Sequence, residues 1–139
     1  DAHYGMFEVS LGAKLDTLEG FKKRGRYLQK DRYLRPGYPK QFMGVPLDKV
    51  WYLFYKGQLH SIRIKTEGEE NSKALRKMLQ SLYGPGERDG YSPRWYWKGK
   101  KTTLLYDRNL LTGNAEVVLE SIPVQMEFDR DAELRLQQY

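Results

Sequence analysis

The chain has no cysteine, only two histidines, and no unbroken apolar run longer than the six residues 50–55. Without thiols it can form neither disulfides nor thiolate metal sites, although this does not fix a redox compartment. His3 and His60 are too few for zinc or iron, whose sites need three or four converging donors. Asp129-Arg130-Asp131 lacks the glycine and spaced carboxylates of a calcium loop. We therefore expect no metal and no cofactor. The apolar run is far short of the roughly 20 residues of a bilayer helix, so no membrane-spanning segment is expected. No Gly-x-Ser-x-Gly elbow, fixed-period repeat or low-complexity tract occurs. Gly99-Lys100-Lys101-Thr102 lacks the earlier glycine, and the Ser or Thr directly after Gly-Lys, that a phosphate loop requires, so Gly99 reads as a hairpin turn.

What is present is ordinary for a globular chain: 139 residues, 40% hydrophobic and 30% charged. That length suits one domain over 1–139, able to bury about two-thirds of its unfolded surface without crosslinks. The first residue is Asp1 rather than Met, from which we expect an upstream segment to have been removed, a signal peptide and a lipid-anchored leader being two of the readings open. The net charge of +6 is concentrated. Residues 21–40 carry Lys22, Lys23, Arg24, Arg26, Lys30, Arg32, Arg35 and Lys40 against Asp31 alone, which leaves the rest of the chain slightly negative.

The most regular stretch lies at 48–84. Lys49 to Tyr55 is rich in aromatic and β-branched residues and reads as a strand. Lys56-Gly57 is a two-residue turn. Gln58 to Thr66 then alternates, with His60, Ile62 and Ile64 on one face and Ser61, Arg63 and Lys65 on the other. Ala74, Leu75, Met78, Leu79 and Leu82 follow at helical spacing, and Gly84-Pro85 ends that helix. Its start is open between a box of Thr66 with Glu69 and a cap at Asn71 or Ser72.

Elsewhere, residues 6–11 alternate as a first strand, and Asp16 or Thr17 caps a short helix carrying Leu18 and Phe21. Residues 22–46 read as a basic loop punctuated by Pro36, Gly37, Pro39, Gly44 and Pro46, with an extended piece at 41–43. Strands are expected at 94–98, 101–107 and 115–121, the last ended by Pro123, and a terminal helix at 129–138. Short connections favour antiparallel pairing. The fold class is then α+β: one antiparallel sheet of about five or six strands, one main helix on a face, and short helices near both ends.

Several stretches carry a resemblance: Gly12-Ala13-Lys14-Leu15, Gly44-Val45-Pro46-Leu47, the hairpin at 54–62, Leu79-to-Pro85, and the Trp-containing strands at 95–121. Together they resemble a loose group of small exported bacterial domains, many lipoprotein-like or periplasmic and of unknown function. The resemblance spans roughly 5–121 and implies an exported α+β module, periplasmic or membrane-anchored. Its motifs are turns and core positions, so it implies no catalytic residue, and the basic stretch at 21–40 is longer than in that group.

The sharpest functional signal is that stretch. Lys22, Lys23, Arg24, Arg26, Arg32 and Arg35 are interleaved with Tyr27, Tyr33 and Tyr38, a pattern that can neutralise phosphates and stack bases, or equally meet anionic lipid headgroups or acidic polysaccharide. The plainer reading is a solvated loop whose tyrosines pack back on the sheet. Trp95 and Trp97 share a strand face, as a sugar platform or, more simply, as core. We expect a non-catalytic binding domain whose partner is a protein or an anionic envelope component. Nucleic-acid or other polyanion binding is the alternative, and a small enzyme ranks third.

Overall fold

The computed structural model describes residues 4–37 and 39–138. His3 and Tyr38 fall outside them. Twelve strands and two α-helices follow in chain order: β1 (Gly5–Met6), β2 (Val9–Ser10), β3 (Lys22–Tyr27), β4 (Lys30–Leu34), β5 (Gln41–Phe42), β6 (Val45–Pro46), β7 (Lys49–Tyr55), β8 (Gln58–Thr66), α1 (Glu69–Tyr83), β9 (Glu87–Arg88), β10 (Arg94–Lys98), β11 (Thr102–Arg108), β12 (Ala115–Ser121) and α2 (Ile122–Leu136). The class is α+β with antiparallel pairing throughout.

The main sheet has eight strands, in the order β3-β4-β7-β8-β12-β11-β10-β9, rather than five or six. The difference comes from both ends. Much of the stretch expected as loop folds into the β3–β4 hairpin at one edge, and β9 pairs with β10 at the other. Residues 6–11 contribute no sheet strand; they form the separate β1–β2 hairpin. The early helix shrinks to a 3-10 turn at Leu15–Thr17, leaving Phe21 outside it.

Four hairpins share one turn geometry. Phe7-Glu8, Leu28-Gln29, Met43-Gly44 and Lys56-Gly57 each place both residues at positive φ, from 49° to 86°. Two-residue turns of this hand match the right-handed twist of the strands they join.

The β7–β8 pairing slips once. Leu53 pairs with Ser61 and Phe54 with Leu59, so His60 has no partner across the strand. This bulge turns His60 away from Ile62 and Ile64, contrary to a simple alternation, and brings Leu59 to their side. Leu59, Ile62 and Ile64 join Tyr52, Phe54, Leu104, Tyr106, Val117, Leu119 and the α1 residues Leu75 and Leu79 in one buried cluster. Neither Thr66 nor Asn71 caps α1. Gly68 stands at the cap, its N–H bonded to Asn114 Oδ1 at 2.8 Å, while the Thr66 and Ser72 hydroxyls bond to each other at 2.7 Å. At the far end Gly84, at φ 98°, stops the helix as its position implies.

Leu53, Tyr55, Val118 and Val124 are buried outside that cluster, on the opposite side of the sheet. There α2 crosses. It starts at Ile122 rather than Asp129, because Pro123 occupies the first turn, where its missing N–H costs nothing, and Ser121 Oγ accepts from Val124 N at 3.2 Å. Phe128 of α2 meets Tyr55 edge-on at 5.0 Å, and Tyr55 Oη donates to Asp131 at 2.6 Å.

Candidate functional site

Register places the side chains on this second face. Arg32 lies beside Leu53, Trp51 beside Arg63, Lys49 beside Lys65, and Lys65 beside Glu116. Alternation therefore collects Lys30, Arg32, Lys49, Arg63 and Lys65 from three neighbouring strands, facing Glu116 and Glu120 of β12. The cations lie on aromatic rings. The Arg32 guanidinium is 3.9 Å from the Trp51 ring centre, Lys49 Nζ is 5.0 Å from the same ring, and Arg63 is 4.9 Å from that of Tyr27. Arg32 is further held by Nε and Nη2, which donate to the Arg24 carbonyl at 3.3 and 3.0 Å. Arg63 and Lys65 both reach Glu116, at 3.2 and 3.8 Å. A dimple of about 70 Å³ lies among Tyr27, Arg32, Trp51, Arg63 and Lys65.

The same alternation divides the basic stretch expected to act together. Arg32 and Tyr27 reach the site, and Lys22 shares their side at the sheet edge. Lys23 and Arg26 share the opposite side with Asp31, which they approach to 3.4 and 3.6 Å. Arg24 sits in the bulge between Lys23 and Arg26 and donates to the Lys23 carbonyl at 3.0 Å. Arg35 lies 5.7 Å from the Phe21 ring, and Tyr33 packs edge-on against Phe54 at 5.1 Å, beside the core cluster. In the sequence Lys49, Trp51, Arg63 and Lys65 read as parts of the central hairpin; the Lys-x-Trp and Arg-x-Lys spacings on its solvent face are the signal that points to them.

Where α2 crosses, the face deepens into a cavity of about 640 Å³, with Lys30, His60, Arg63 and Glu120 on its sheet side and Gln125 and Phe128 on its helix side. Lys30 is 6% exposed; its Nζ sits 3.9 Å over the Phe128 ring and 3.4 Å from the Leu28 carbonyl. Burial, outweighing the attraction of Glu120, pulls its amine below the usual lysine range. Burial also pushes Glu120 up, against the pull of Lys30 and Arg63. Gln125 Nε2 donates to Asp129 at 2.8 Å, so its Oε1 faces His60 Nε2 at 2.6 Å and must accept from it. His60 Nδ1 then accepts from Ser61 Oγ at 2.9 Å. Desolvation lowers this imidazole to about 4, so it is neutral at pH 7.

On the core side a second cavity, about 620 Å³, lies at the end of α1 beside Leu82, Tyr83 and Trp97. Trp95 and Trp97 are half-buried against the core cluster, and Trp97 Nε1 donates to the Gly84 carbonyl at 2.8 Å, while Tyr96 alternates outward. Among the described residues, no three His, Cys, Asp or Glu side chains converge as a metal site would need, and no helix is long and apolar enough to cross a membrane. The chain matches no protein-family model, no curated protein and no solved structure.

Proposed function

We propose that this chain is a non-catalytic binding domain that takes an anionic polymer across the second face of β4, β7 and β8. The observation that carries this is Arg32, stacked at 3.9 Å on Trp51 and tied by two hydrogen bonds to Arg24, with Arg63 and Lys65 alongside on the same sheet. Cations fixed on strands lose little side-chain freedom when an anion arrives, so more of the charge attraction survives as affinity. Following the resemblance to exported domains, we place the ligand in the cell envelope and the protein outside the cytosol.

A single-stranded nucleic acid is the second reading, favoured by rings set among cations, with Tyr27 42% exposed. It is opposed by the guanidinium already covering Trp51, where a base would have to stack. Titration with an acidic polysaccharide and with a single-stranded oligonucleotide at low ionic strength tests both. The polysaccharide should bind with steep salt dependence, and Arg32→Ala or Trp51→Ala should weaken it about tenfold. Silence from both ligands ends the proposal; oligonucleotide binding that exceeds polysaccharide binding replaces it with the second reading.

A further inference from the structure

The cavity under α2 is lined by Lys30 and Glu120, charges of opposite sign that no ion pair joins. Among the described residues Lys30 has no carboxylate within salt-bridge reach; its ammonium has one long contact to a carbonyl and the face of Phe128. Arg63, beside it, is already paired with Glu116 at 3.2 Å through Nη1. Across from Lys30, Glu120 lies 3.9 Å from the neutral His60 ring, which already donates to Gln125, and among the described residues no ammonium or guanidinium comes within salt-bridge reach of it. A buried ammonium such as that of Lys30 is costly to leave without a counter-charge unless something else completes it.

An anion alone would satisfy Lys30 and face Glu120; a cation alone would do the reverse. A ligand carrying both charges a few ångströms apart answers both. The remaining walls, Leu28, Leu53, Phe128 and Ala132, are apolar, and a volume of about 640 Å³ is in the range of small-molecule sites.

We propose that this cavity binds a zwitterionic α-amino acid with an apolar side chain. Its carboxylate accepts from Lys30 Nζ, its ammonium donates to Glu120, and its side chain lies along Phe128 and Leu53. This site goes beyond the polymer-binding face, with which it shares Arg63, and does not need Arg32.

Isothermal titration of the full chain with L-leucine, N-acetyl-L-leucine and L-leucinamide tests the inference. L-Leucine should bind, and each derivative, lacking one of the two charges, should bind about tenfold more weakly or not at all. Lys30→Gln and Glu120→Gln should each reduce leucine binding by a similar factor, with circular dichroism confirming that the variants fold. Arg32→Ala should leave leucine binding intact while weakening the polysaccharide, so failure of one site is distinguishable from failure of the other. No heat from L-leucine or L-phenylalanine at millimolar concentration overturns the proposal. Equal binding of N-acetyl-L-leucine also overturns it, since the ammonium would then be irrelevant.

Discussion

At the scale of single residues, His60 has the most unusual environment. The bulge in β8 turns it under α2, where Gln125 accepts from one ring nitrogen and Ser61 donates to the other. Lys30 and Arg63 oppose its protonation and Asp129 favours it, but loss of hydration dominates and brings its pKa from 6.5 to about 4. The unfolded chain therefore binds this proton more readily than the folded one. Stability is full above pH 6.5 and is lost as the pH falls towards 4, by about 3 kcal/mol at most. Glu120 is shifted the other way: burial raises it, so its contribution favours the fold at low pH and offsets part of the loss. Urea unfolding between pH 7.5 and 4.5 should show falling stability on acidification, with a shallower slope in His60→Gln. If that variant and the parent fall in parallel, His60 is not the group responsible.

Among the elements, the turns decide what could be anticipated. Lys56-Gly57 bears a glycine and sits between two clear strand patterns, so the β7–β8 hairpin was visible, as were the leucine stripe of α1 and its Gly84 stop. Leu28-Gln29 adopts the same left-handed geometry with neither glycine nor asparagine, and the register shift near Arg24 breaks the alternation of β3. The β3–β4 hairpin accordingly looks like loop in the sequence. Pro123 concealed the start of α2 because a proline that ends a strand and one that opens a helix look alike without the Ser121 cap geometry. The site suffered for the same reason: Arg32 and Tyr27 stood out by charge and ring, whereas Trp51, Arg63 and Lys65 join them only through strand pairing. Left-handed backbone at an ordinary residue costs about 1–2 kcal/mol, and glycine removes that strain at about 0.5–1 kcal/mol of extra chain entropy. Glu8, exposed at φ 65°, is the cleanest place to observe it. Glu8→Gly should stabilise by about 0.5 kcal/mol, read as a higher urea midpoint at unchanged slope; a lower midpoint would show that the turn is not strained.

For the whole molecule, the sheet separates two jobs. Its first face buries the apolar cluster with Leu75 and Leu79, and its second presents Arg32, Lys49, Arg63 and Lys65, with α2 closing one end over Lys30 and Glu120. The formal charge of +6 thus has a direction: much of it sits on and beside one surface. The outermost strand has a separate consequence. All six residues of β3 are exposed, and among the described residues no strand lies beyond it, so its outer backbone groups, apart from the Lys23 and Arg24 carbonyls held by arginine side chains, are left to a newcomer. A second copy docking there would bring Lys22, Lys23, Arg24 and Arg26 against their own duplicates. Repulsion thereby guards the flank against fibril-like stacking, and salt should lift the guard: light scattering should rise with ionic strength, and sooner in a variant with those four side chains replaced by serine. Scattering that falls as salt is added would mean that something other than like charge keeps the copies apart.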